Sequence, residues 1–329
     1  MTARNHVLAI GNALVDVITT APPEFLSQRG IAKGSMRLIP ADEAETLYAA
    51  MGPGREISGG SAANTVAGMA ALGAKPAFVG RVADDQLGKV FAHDITAAGV
   101  AYATAASTAG APTGRCLIVV TPDGDRTMNT FLGACQELSE ADLDAASVAA
   151  SEILYLEGYL WDPPAPRAAM KKAIAVARAN NRKVAFTLSD VFCVEGHRAD
   201  YQDLLANHVD LMFGNEHEVC ALYQTQDLEA AMAELARHAA IAVITRSDKG
   251  AIVLENGNRH IVAGEPVAKV VDSTGAGDMF AGGFMAGLVQ GRSLPDCARI
   301  GCITAAEVIS HYGARPEADL MALVKAKLG

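Results

Sequence analysis

Asp278 is the residue in this chain whose surroundings most suggest chemistry. It closes the run Asp272-Ser273-Thr274-Gly275-Ala276-Gly277-Asp278, which follows two valines and precedes Met279-Phe280-Ala281-Gly282-Gly283. The valines at 270–271 read as the end of a strand, and the residues through Val289 as an apolar helix of small side chains. Between them a Gly-Ala-Gly turn would open the helix with free backbone N–H groups. Such a start binds anions, because orphan donors and helix dipole act in one direction. In the first turn the charge of Asp278 is favoured, so its ionised form is expected to be stabilised. An anion cradle beside a carboxylate that can accept a hydroxyl proton suits phosphoryl transfer, with Gly275, Ala276 and Gly277 as the cradle. The same residues also read as a glycine turn with an acid placed to suit a dipole, and local chemistry does not choose between the two. No Gly-x-x-x-x-Gly-Lys-Ser/Thr loop occurs anywhere in the chain, so a phosphate site here is of another kind.

Other groups with chemical capacity stand where apolar runs stop. Asn12 and Asp16 follow the apolar stretch 7–10, and ligands of open α/β sheets gather at such strand ends. Asp16 sits inside an apolar run, where a carboxylate needs partners; a pair of ligand hydroxyls or a stabilised turn would each serve. Gly59-Gly60-Ser61 with Asn64 opens a second small-residue helix, which by itself is ordinary capping chemistry. Asn215 and Glu218 have the spacing of a capping box, which needs no function, yet a carboxylate there can also hold a metal-bound water. Arg126, just past an Asp-Gly turn, reads by itself as a solvated charge.

The elements that must position these groups follow from apolar periodicity. Runs at 7–10, 153–158, 183–188, 209–214 and 241–245 read as buried strands. Helical stretches lie near 168–180, 216–223, 228–239, 295–311 and 317–328. This alternation implies a mostly parallel sheet covered by helices on both faces. Residues 113–131 read as a β-hairpin turning at Asp123-Gly124. With 14–40, which Pro22, Pro23, Gly30, Gly34 and Pro40 break into short pieces, the hairpin would form a small sheet beside one main domain spanning 1–329.

Composition bounds the partners. Half of the 329 residues are apolar, 19% are charged, and the net charge is −10. That balance supports a sizeable core and argues against nucleic-acid or anionic-membrane binding. Six cysteines without Cys-x-x-Cys spacing read as reduced thiols of a cytoplasmic protein, and no apolar run approaches a membrane span.

Taken together, Gly59-Gly60-x-x-x-Asn64, Asn215-x-x-Glu218, Thr245-x-Ser-x-x-Gly250 and Asp272-x-Thr-Gly-Ala-Gly-Asp278 resemble, in this order along the chain, the motifs of the ribokinase-like (PfkB) family of sugar and nucleoside kinases. The resemblance covers nearly the whole chain. It implies a ribokinase-like α/β fold with a small β-sheet lid formed by about 14–40 and 113–131. Gly11-Asn12-Ala-Leu-Val-Asp16, Pro112-Thr113-Gly114 and Phe213-Gly-Asn-Glu216 are most similar to the branch that phosphorylates the 5′-hydroxyl of adenosine with ATP. A sugar kinase of the same family and a non-catalytic nucleoside-binding protein are the alternatives. The resemblance assigns Asp278 as general base and brings Arg126 toward the transferred phosphate. It makes Asn12, Asp16, Gly59, Gly60, Ser61 and Asn64 a ribose clamp, with Met128, Phe131, Leu132, Tyr159 and Leu160 around the base. Asn215, Glu218, Thr245, Ser247, Gly250, Gly275 and Gly277 fall to ATP and Mg2+, the magnesium reaching Glu218 through water, and Asp272 to a monovalent cation such as K+. In Thr245-x-Ser247 a serine replaces the first glycine of the family pattern. A monomer or homodimer is expected.

Overall fold

A computed structural model describes residues 5–328. Asn5–Ile10, Pro76–Val79, Ala101–Tyr102, Ser151–Glu157, Lys183–Thr187, Leu211–Asn215 and Ile241–Thr245 pair in parallel within one large sheet. The hairpin of Ala251–Glu255 and Asn258–Val262 extends it as an antiparallel edge. Alternate side chains serve the two faces, as strand geometry requires. Val7, Ala9, Tyr155 and Phe213 enter one core, with Phe284 and Ile303. Leu8, Ile10, Leu156 and Phe186 enter the other, with Met170, Leu204 and Leu235. Strands buried on both faces explain the uninterrupted apolar runs.

A second sheet runs in the order Met36–Leu38, Arg126–Phe131, Gly114–Val120, Leu14–Thr20, Arg55–Gly59. The expected hairpin is present, and Arg55–Gly59 joins as a strand that periodicity did not single out. The chain passes between the sheets at Gly11-Asn12-Ala13 and again at Gly60, so residues at these crossings sit where the two sheets meet.

Helix Ala276–Val289 is packed between Ser61–Ala71 and Leu294–Val308. Its small residues permit this closeness: a Cβ at Gly282 would lie 2.6 Å from the Thr65 carbonyl oxygen, and one at Gly283 2.5 Å from Thr304 Oγ1.

Several expectations need correction. Val270 and Val271 end no strand. The last strand stops at Val262, and the irregular stretch after it meets Ile309, whose carbonyl accepts from Val271 N. The helix expected at 168 starts at Pro164, because proline suits the first helical position, where no N–H partner is lost. Helices Ala41–Ala50, Gln86–Ala97 and Val191–Asn207 lie outside the expected set. The last is broken at His197 (φ −132°, ψ 27°), which hides its period.

Candidate active site

Two glycine turns from distant parts of the chain meet at one carboxylate. Gly275 caps its helix at φ +78°, and a Cβ there would lie 2.6 Å from Ala314 Cβ. Gly60 takes φ +101°, where a Cβ would lie 2.1 Å from the Asn12 carbonyl oxygen. Neither position tolerates a side chain. The helices they start are thereby aimed at one another: Ser61 Oγ donates to Asp278 Oδ1 at 2.6 Å, and Asn64 Nδ2 donates to Oδ2 at 3.1 Å. Burial raises the Asp278 pKa above its ordinary value, against the opposing pull of these two bonds and of Arg315. The expectation that the helix dipole leaves the carboxylate readily ionised is therefore corrected: desolvation dominates. A carboxylate with raised proton affinity is a better proton acceptor.

Around Asp278 opens a cleft of about 640 Å³, within the usual range for ligand sites. On the side of the small sheet, strand alternation turns Leu14 and Asp16 into the cleft and Val15 and Val17 into the core. No described residue hydrogen-bonds the Asp16 carboxylate, and burial pushes its pKa up to about 6. A Cβ on Gly59 would meet Asp16 Cγ at 2.6 Å, so Gly59 backs this carboxylate rather than lining the cleft. Asn64 Oδ1 is likewise without a partner. Two acceptors free of protein donors, in the cleft that holds Asp278, are what a ligand diol would satisfy.

Glu157 was not singled out from sequence, although an acid closing an apolar strand is the signal that marks it. It is fully buried and accepts from Asn12 N and Nδ2, both at 2.7 Å, and from Ala62 N at 2.8 Å. It thus ties the first crossing between sheets to the helix that carries Asn64. Burial raises its pKa to about 7.

The same cleft is lined by the apolar side chains of Met36, Leu38, Met128, Leu132, Tyr159 and Phe192. The rings of Tyr159 and Phe192 are 6.0 Å apart. Phe131 does not line the cleft: Met128 and Thr130 share the cleft-facing parity of their strand, and Phe131 packs toward the main core instead. Leu160 is also corrected. It is fully buried against the opposite core, and its neighbour Tyr159 takes the cleft position.

At the other end, Asn215, Glu218, Thr245 and Ser273–Gly277 line the cleft. The capping box is present: Asn215 N donates to Glu218 Oε2 at 3.0 Å and Asn215 Nδ2 to Oε1 at 2.6 Å. Glu218 is buried, which pushes its pKa up to about 7. Ser247 and Gly250 do not line the cleft; Ser247 is exposed and Gly250 buried. Ser247 holds φ +54°, so this serine keeps the backbone conformation that a glycine would adopt freely.

Arg126 and Asp272 form an ion pair in which both side chains are more than nine-tenths buried. Neither lines the cleft. Asp272 also accepts from Thr274 N at 3.0 Å and Gly313 N at 2.9 Å, which fixes the turn just before Gly275. With its charge met by a guanidinium and both oxygens engaged, Asp272 does not fit a monovalent cation, and no step is assigned to one. Glu218 fits an outer-sphere role toward magnesium: it faces the cleft, is desolvated, and among the described residues no cation forms an ion pair with it.

With this geometry in view, known proteins settle the lineage. The sequence profile of the pfkB family of carbohydrate kinases matches residues 31–320. The chain belongs to that family. It is 46% identical to the adenosine kinase from Sinorhizobium meliloti, over 99% of this chain and all of that one, with a TM-score of 0.91. The probable sugar kinase protein from Rhizobium etli CFN 42 is also 46% identical, covering 99% of each chain at a TM-score of 0.92. Adenosine kinase 2 from Arabidopsis thaliana is 28% identical over 93% of this chain and 94% of its own. The pfkB fold of a large, mostly parallel sheet with a second small sheet is the one described above. As a member of the pfkB family the chain is a phosphotransferase that acts on an alcohol group.

Proposed function

We propose that the protein transfers the γ-phosphoryl group of ATP to the 5′-hydroxyl of adenosine, giving AMP and ADP. The observation that carries this reading is that one cleft holds two acceptors without protein donors, Asp16 and Asn64, together with the apolar side chains of Met36, Leu38, Met128, Leu132, Tyr159 and Phe192. A ribose fits the first and a purine the second. Aromatic stacking adds roughly 0.5–1.5 kcal/mol beyond area burial, whereas a free sugar would leave those side chains facing water. The adenosine kinases among the relatives support the same acceptor.

In this mechanism Asp278 takes the proton of the 5′-hydroxyl as its oxygen bonds to the γ-phosphorus and the bond to the β,γ-bridging oxygen breaks. The N–H groups that open helix Ala276–Val289 hold the charge spread over the transferring group. Asn215 and Glu218 would hold the water shell of magnesium, whose chemistry when bound is to neutralise phosphate charge. We also propose that the small sheet, including 14–40 and 113–131, acts as a lid that excludes water from the transfer.

Steady-state kinetics on adenosine, ribose and fructose test the acceptor. The expected kcat/KM for adenosine is at least about a hundredfold above either sugar, near 2.7 kcal/mol of discrimination. Comparable efficiency on a free sugar would replace this reading with a sugar kinase, the activity that the R. etli relative's name suggests.

A further inference from the structure

Arg315 lies in the irregular segment between helices Leu294–Val308 and Leu320–Leu328. Its guanidinium crosses to the turn that presents Ser61. Nη2 donates to Ser58 O at 2.8 Å and to Ser58 Oγ at 2.9 Å, Nε to Ser58 O at 3.2 Å, and Nη1 to Ala63 O at 3.1 Å. Ser58 is held from its other side, its N and Oγ donating to Asp94 Oδ2 at 2.8 and 2.6 Å. The fork therefore spans both shoulders of the Gly59–Ala62 turn, a geometry that suits a planar guanidinium and not an ammonium.

Its two predecessors reach the other turn. Gly313 N donates to Asp272, and Ala314 packs against Gly275. Three consecutive residues thus brace the anion cradle and the turn that holds the base.

All hydrogen-bond acceptors of Arg315 are carbonyl or hydroxyl oxygens, and among the described residues no carboxylate pairs with it directly. Its charge faces Asp94, Asp16 and Asp278 at longer range. The groups facing Asp278 are Ser61 and Asn64 from one helix, Asp16 from the small sheet, Tyr155 and Glu157 from a central strand, Tyr159 from the turn after it, and Arg315. Arg315 is the cation of that set.

We propose that Arg315 is a positioning residue for Asp278: it fixes the Ser58–Ala63 turn in register with the base and supplies the positive charge that keeps the base ionised. The inference rests on the reading of Asp278 as general base. Burial lowers the Arg315 pKa to about 10, so the charge persists through neutral pH.

Arg315→Met and Arg315→Lys in the full chain, assayed with ATP and adenosine from pH 5 to 9, test it. In R315M, kcat falls at least about tenfold and the acid limb of its pH profile moves up by roughly one unit, since the base loses its cation. R315K keeps the charge and loses the fork, so its kcat falls while its acid limb stays in place. An R315M limb that superimposes on that of the unmodified protein overturns the proposal. If R315M does not fold, R315K decides: a kcat within twofold of the parent overturns it. Asp278→Asn separates this from the parent reading. Lost turnover in D278N with an unmoved R315M limb defeats this inference alone, whereas near-normal turnover in D278N defeats the base assignment itself.

Discussion

Asp278 holds its proton to a higher pH than an ordinary aspartate, because burial outweighs the bonds from Ser61 and Asn64. A base acts only when ionised, so kcat must fall as pH drops through that raised value. The acid limb of kcat is expected clearly above about 4, the ordinary aspartate range. A limb at or below 4 would show that the ionisation of some other group controls turnover. Glu218 divides cap from metal support in a similar way. Glu218→Gln keeps one of the two bonds with Asn215 and sheds a desolvated charge, so Tm should shift by no more than about 2–4 °C, the effect of ~1 kcal/mol in a domain of this size. The magnesium concentration for half-maximal rate should rise severalfold. A larger loss of Tm with unchanged magnesium dependence would leave Glu218 as a cap alone.

At the scale of elements, the small sheet reaches the turn before Gly275 through the Arg126–Asp272 ion pair, and the Asp-Gly turn of its hairpin lies against Tyr312. If this sheet closes over the acceptor, amide exchange in 14–20, 36–38, 114–120 and 126–131 should slow when adenosine binds, with strands 183–187 and 211–215 unchanged. Equal exchange with and without adenosine would remove the lid. These elements also show how much was legible from sequence. The βα alternation, the hairpin, both glycine turns and the Asn215–Glu218 box could be read because each depends on local periodicity or turn chemistry. Arg55–Gly59 could not, since its partner across the sheet is remote in sequence and Arg55 and Glu56 break its apolar pattern. Phe131 falls on the other parity of its strand, and Leu160 lies on the core side of the 3-10 turn Gly158–Trp161. Arg315 carries no local signal at all: its role exists only because Ser58 and Ala63 are brought beside it.

For the molecule as a whole, four carboxyl groups around one cleft share a cost. Asp16, Glu157, Glu218 and Asp278 are all raised by desolvation, to about 6 for Asp16 and about 7 for Glu157 and Glu218. A folded-state pKa above the unfolded value contributes stability below the unfolded value, and this is lost as pH rises through the folded one. The ligand-free protein should therefore lose Tm between pH 5 and pH 7.5, and Glu157→Gln should flatten that slope. A Tm that rises across this window would mean these carboxyls are not desolvated together. In the proposed reaction this cleft brings a single pair together, the acceptor hydroxyl and Asp278. The most direct measurement is therefore kcat for Asp278→Asn alongside calorimetric binding of adenosine. Adenosine affinity should stay within about threefold of the parent while kcat falls by about 10² to 10⁴, the range for loss of a general base. Turnover within tenfold of the parent, with adenosine still bound, would contradict the role of Asp278 as that base.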